Sequence, residues 1–182
     1  MKYPFVLFLL FVASLSAGSE SVMFDPPSGW KVAHAKELPR YVEAIVVGES
    51  RSNYPPSINL GVEDFTGSLK EYLKIVKKIN EVQKTPWKGL GSITTQAGPA
   101  DLSTADIQTA WGPVKLIHVI LVQDGRAIIL TGAAKKEEFT TLYPVFLKSM
   151  RTLRFGSSPI LATNHPPLSA PCCSAPIGTV AN

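Results

Sequence analysis

The chain has 182 residues and a formal charge of +4. So mild an excess, with no basic run interleaved with aromatics, argues against a nucleic-acid partner. Once two atypical ends are set aside, the remaining length fits one domain with a sizeable core.

Lys2 supplies a positive start, Phe5 to Val12 is an unbroken apolar run, and Ala13, Ser14, Ser16, Ala17 and Gly18 are small. This is the layout of a secretory signal peptide, predicted over residues 1–18 with cleavage near Ala17 or Gly18. The run is far shorter than the roughly 20 residues that span a bilayer. No other stretch is long enough for a transmembrane helix, and no Cys follows the small residues to form a lipoprotein attachment site. The expectation is a mature protein of the periplasm or extracellular space, with no transmembrane segment and, lacking Lys2, one positive charge fewer.

The single domain is expected over residues 19–155. Met23 begins a short strand that turns at Pro26, Pro27 and Gly29. Trp30 leads into a second strand, its ring read as a core plug. Val42 to Gly48 is a strand by its β-branched content. After the Tyr54-Pro55-Pro56 break, Ser57 to Phe65 alternates, with Ile58, Leu60 and Val62 facing one way and Asn59, Gly61 and Glu63 the other. Ser68 and Glu71 form a capping box that opens a helix running to about Val82.

That helix has Leu69, Tyr72, Leu73, Val76 and Ile79 at the spacing of a buried stripe. Its outer side carries Lys70, Lys74 and Lys77, with Lys78 nearby and Glu81 completing it. These lysines form either a solvated helix side or a docking surface for an acidic partner or anionic head groups. Thr85-Pro86-Trp87 breaks the helix; Gly89 to Gly98 reads as a loop leading into a Thr-rich strand, and Ala100 to Trp111 as a weaker strand.

Val114 to Gln123 is apolar on both sides, with Leu116, His118 and Ile120 on one and Ile117, Val119 and Leu121 on the other. Such a strand wants cover above and below, which places it inside a sheet between two layers. Asp124-Gly125 signals a two-residue type I′ hairpin, and Arg126 to Thr131 is its returning strand. A last helix presents Phe139, Leu142, Tyr143, Phe146 and Met150 on one side. Pro144 within it either kinks the helix or starts its main part. Leu153 and Phe155 close the fold against the sheet.

Residues 156–182 are rich in Pro, Ser, Ala, Gly and Thr and contain no Lys, Arg, Asp or Glu. Such a segment cannot offset its ordering entropy and is expected to be a disordered tail. Both cysteines, Cys172 and Cys173, are adjacent there. Neither can bridge to the core, which has no cysteine, so an intermolecular disulfide through Cys172 or Cys173 and two idle thiols are the alternatives.

Taken in order, the F-D-P-P-S-G-W opening at Phe24–Trp30, the S-I-N-L-G-V strand before S-L-K-E-Y-L, the I-L-V-Q-D-G-R-A-I-I-L-T hairpin and the closing P-V-F-L-K-S-M-R-T-L-R-F resemble the PsbP-like superfamily. The resemblance covers most of Phe24–Phe155. It implies an α+β fold, an antiparallel β-sheet sandwiched between helices in three layers (α/β/α). It also implies non-enzymatic work, chiefly binding or assembly of other proteins. No functional residue carries over, because no invariant site motif travels with the family.

The residues themselves agree. There is no G-x-S-x-G elbow, Walker A loop, H-E-x-x-H or G-x-G-x-x-G. Of His34, His118 and His165, only His118 sits among core residues, where burial would keep its ring neutral. It is read as a core histidine with one hydrogen-bond partner; the functional alternative pairs it with Glu63 or Asp64 in a cleft. Glu63, Asp64, Asp101 and Asp106 match no metal-binding loop. The expected function is therefore an exported, non-enzymatic envelope protein that binds or helps assemble another protein, with no cofactor. The alternative is a small-molecule or metal-binding periplasmic protein.

Overall fold

Asp124 and Gly125 both have positive φ, 52° and 73°, which is the geometry a type I′ turn requires. The turn joins β7 (Gly112–Gln123) to β8 (Arg126–Lys135) in an antiparallel hairpin that pairs Gln123 with Arg126. The returning strand runs four residues past the expected Thr131, because Gly132, Ala133 and Ala134 keep pairing with Ile117, Leu116 and Lys115. This computed structural model describes residues 20–33, 38, 41–50 and 52–156. The predicted leader over 1–18, the tail beyond Gly156 with Cys172 and Cys173, and His34 and His165 lie outside the described residues.

The hairpin sits inside a seven-stranded antiparallel sheet. Beside β8 lies β4 (Ser57–Asp64), then β3 (Val42–Val47) and the short β2 (Lys31–Val32). On the other side β7 pairs with β6 (Gly98–Thr109), and β6 with the edge strand β5 (Trp87–Thr95). β5 corrects the expected loop over Gly89–Gly98. The register slips between Gly89 and Gly91, and Gly91 has φ of 101°. A bulge absorbs the glycines that had looked like loop punctuation, and an edge strand tolerates one.

Two helices cover opposite sides. α1 (Leu69–Val82) carries the chain from β4 across the sheet to its far edge at β5. Its capping box is complete: Ser68 Oγ accepts from the Glu71 amide, and Glu71 Oε2 accepts from the Ser68 amide at 2.7 Å. α2 (Lys136–Met150) follows β8 directly. It has no side-chain cap, but Glu137 and Glu138 sit in its first turn and Lys148 in its last, the favourable arrangement for the helix dipole. Pro144 lies within this one helix, past its midpoint, so it does not begin the main part.

Under α2, Phe139, Phe146 and Met150 pack with Ile117, Val119, Leu121, Ile128, Leu130, Ile58, Leu60 and Val46 in the main core. Trp30 meets Phe146 edge to face at 6.1 Å, so its ring is the partly buried plug expected of it. β1 (Ser21–Met23) pairs with β9 (Arg154–Gly156), joining the two ends of the domain. Asp25 reinforces this junction: its amide donates to Thr152 Oγ1 at 2.7 Å, its carbonyl accepts from Ser149 Oγ at 2.6 Å, and its carboxylate pairs with Arg154 at 2.8 Å. Phe24 and Leu153 are buried beside it.

Candidate functional site

α1 packs only part of its apolar surface. Tyr72 is buried, and Leu69, Leu73 and Val76 rest on Ile120, Ala127 and their neighbours in a small second core. Ile79, expected in the buried stripe, is 49% exposed, because the stripe turns away from the sheet before the helix ends. With Ile75 at 47% and Val82 at 75%, it forms an i, i+4, i+7 row facing solvent. That row is the feature the sequence reading missed, although its spacing was there to be seen.

Lys70, Lys74, Lys77 and Lys78 are all exposed on the same helix. Lys77 pairs with Glu81 across one turn at 4.0 Å, with both side chains well exposed; such a pair is worth about 0.3–0.5 kcal/mol. Lys70, Lys74 and Lys78 make no ion pair with the described residues. At 100° per residue, Lys74 and Lys78 flank the Ile75–Ile79–Val82 row on the side away from the sheet.

Beneath the first half of α1 lies a cleft of about 240 Å³. Its floor is the polar side of β4, namely Asn59, Gly61 and Glu63, together with Ile129 and Thr131 of β8. Tyr72 of α1 forms one wall, and Tyr41 and Val42 close the opposite side. The alternation of β4 had already placed Asn59, Gly61 and Glu63 together. The wall could not be read from sequence, since it depends on where α1 lands. Tyr72 Oη donates to Glu63 Oε1. Burial, then the bond to Glu63 and its charge, push the Tyr72 phenol well above its ordinary range, so it stays protonated and remains a donor.

His118 is the next residue in this row. Asn59 pairs with Thr131, Thr131 with His118, and His118 with Ser103, giving a polar line across four strands. His118 Nδ1 and Thr131 Oγ1 are 3.0 Å apart, the single partner expected of a core histidine. Burial pushes its pKa down to about 4, so the ring is neutral at physiological pH. Glu63 lies four residues along β4 from the position opposite Thr131, roughly 13 Å at strand rise, so His118 does not pair with it.

Farther along the same side of the sheet, Ser103 Oγ, Asp101 Oδ2 and Trp87 Nε1 are buried without a partner among the described residues. Burial raises the Asp101 pKa. Asp106 lies on the opposite side of the sheet, 3.7 Å from Lys136, so the acidic residues do not assemble. No group of three His, Cys, Asp or Glu side chains that could hold a metal occurs among the described residues. No helix among them is long and apolar enough to cross a membrane.

No family profile matches the chain, and no curated protein does. Solved structures do. LpqN of Mycobacterium tuberculosis, a protein involved in cell envelope biogenesis, matches with a TM-score of 0.54 and 17% identity, over 79% of this chain and 87% of its own. Cyanobacterial PsbP from Synechocystis matches with a TM-score of 0.46 and 10% identity, over 77% of this chain and 95% of its own. The Ran-binding protein Mog1p of Saccharomyces cerevisiae matches with a TM-score of 0.47 and 15% identity, over 72% and 93%. The fold is α+β, as expected from the sequence, and is similar to that of LpqN; the other two scores carry no argument.

Proposed function

We propose that the protein is an exported, non-enzymatic envelope protein that binds or helps assemble another protein, and that α1 is its docking surface. The exposed row of Ile75, Ile79 and Val82 beside Lys74 and Lys78 carries this reading. Covering apolar surface is favourable by about 25 cal/mol per Å². Lysines at the rim steer an acidic partner and set its register more than they add affinity. The envelope role of LpqN fits the same reading.

The test is site-specific photo-crosslinking in the native cells, with the crosslinker at position 79 and, as a control, at the exposed Lys148 of α2. The expected result is one adduct of defined mass from position 79, none from position 148, and loss of the adduct in a Lys74→Glu/Lys78→Glu variant. No adduct at position 79, or one indifferent to charge reversal, overturns the reading. The small-molecule alternative is favoured by a different observation, the cleft beneath α1.

A further inference from the structure

From the cleft between β4, β8 and α1 we infer a binding site for an elongated primary amine, with its ammonium against Glu63 and a hydrogen-bonding far end at Asn59 and Thr131. This goes beyond the protein-binding reading and does not depend on it.

The charge pattern selects the ligand's sign. Among the described residues, Glu63 is the only charged one lining the cleft, and no Lys or Arg lines it. Glu63 makes no ion pair with the described residues. An anion would meet uncompensated repulsion there, whereas a cation would supply the missing partner. Tyr72 Oη occupies Oε1 of the carboxylate and orients it, leaving Oε2 to accept from a ligand. An ammonium offers three donors and no acceptor, so it suits this acceptor-only end.

The shape selects the rest. Asn59 and Glu63 are four residues apart on one strand, on the order of 13 Å, so one nitrogen cannot reach both. Between them the floor is Gly61, which has no side chain, flanked by Ile129 of β8. A Cβ on Gly61 would stand 3.4 Å from the Tyr41 carbonyl oxygen and 3.8 Å from that of Ile129, so the bare backbone keeps the middle of the cleft open. That middle suits a short alkyl chain. At the other end Asn59 can donate and accept. Thr131 Oγ1 keeps a lone pair for the ligand in either tautomer of His118, since a hydroxyl oxygen has two and the imidazole engages at most one.

The test uses the protein purified from its own cells and three probes of matched length: 6-aminohexan-1-ol, the neutral hexane-1,6-diol and the anionic 6-hydroxyhexanoate. Backbone amide NMR reports which residues respond. The expected result is saturable shifts confined to residues around Gly61, Tyr72, Ile129 and Thr131 with the amine alone. Binding should be weak, because Glu63 is exposed and the ligand small.

Glu63→Gln keeps an acceptor for Tyr72 but removes the charge, and should weaken binding tenfold or more. Gly61→Ala narrows the floor without touching the charge, and should weaken it several-fold. If the diol binds as well as the amine, if Glu63→Gln binds unchanged, or if no probe gives saturable shifts in the cleft, the proposal is overturned. Saturable shifts with a lysine-containing peptide but not with the free amine would keep the ammonium and remove the elongated free ligand, overturning the proposal as stated. An unfolded Glu63→Gln spectrum would shift the decision to Gly61→Ala and the probe series. The protein-docking reading stands or falls separately, by the crosslink at position 79.

Discussion

The two sides of the sheet are built for different things. The α2 side is continuous and dry: Phe146, Met150, Ile117, Val119, Ile128 and Leu130 are all fully or nearly fully buried in one cluster. The α1 side has a three-residue buried core, a polar line through Asn59, Thr131, His118 and Ser103, a cleft, and buried polar groups without partners among the described residues. Stability is concentrated where packing is complete. Recognition is available where the helix covers only part of the strands beneath it. Both proposed sites accordingly fall on the α1 side, one on the outer surface of the helix and one under it.

This contrast sets the order of expected effects. Phe146→Ala should be the largest, since it opens a cavity where nothing can collapse to fill it. A loss of about 3–5 kcal/mol in urea unfolding is expected, and a loss below 1 kcal/mol would break the picture of a close-packed α2 side. Next is the pH response of His118. Its folded pKa, about 4, lies below the unfolded value of 6.5. The unfolded chain therefore binds more protons between those values, and stability present above pH 6.5 is lost as pH falls toward 4. The full effect is on the order of 3 kcal/mol. A His118→Leu variant should lose this slope between pH 6.5 and 4 in pH-dependent unfolding.

Gly132→Ala returns to the α2 side. Its Cβ would meet Ile117 Cγ2 and Phe146 Cδ1, each at 2.8 Å, and over-packing of this kind costs about 1–3 kcal/mol. Ser68→Ala removes the α1 cap and should cost about 1 kcal/mol, with faster amide exchange confined to the first turn of α1. Ile79→Ser should be nearly silent in unfolding, within about 0.5 kcal/mol, because the side chain is half exposed. A loss well above that in the isolated protein would place Ile79 in the core and remove it from the proposed docking row.

Some of this was legible in local sequence. The Ser68/Glu71 box, the Asp124-Gly125 turn and the two-sided apolarity of β7 each depend on chemistry within a few residues, and each appears as read. The misreadings share a cause. Gly89 and Gly91 look like loop residues until β6 supplies a partner and a bulge absorbs the extra residue. Ile79 has helical spacing for burial, yet burial depends on whether the sheet extends beneath it. The β4 alternation grouped Asn59, Gly61 and Glu63 correctly, but not the Tyr72 wall that turns a polar strand surface into a cleft.

The sequence by itself determined the element types, the central hairpin, the helix start at Ser68 and the side of each strand that would be polar, because periodicity and turn chemistry act within a few residues. The tertiary structure alone decided the strand order, the closure of Asp25 on Thr152 and Arg154, and how far α1 covers the sheet. Those depend on contacts between residues distant in the chain, where the helix must cross from β4 to the far edge at β5. That crossing leaves one apolar row uncovered and one polar cleft open, and so fixes where this protein presents binding surface.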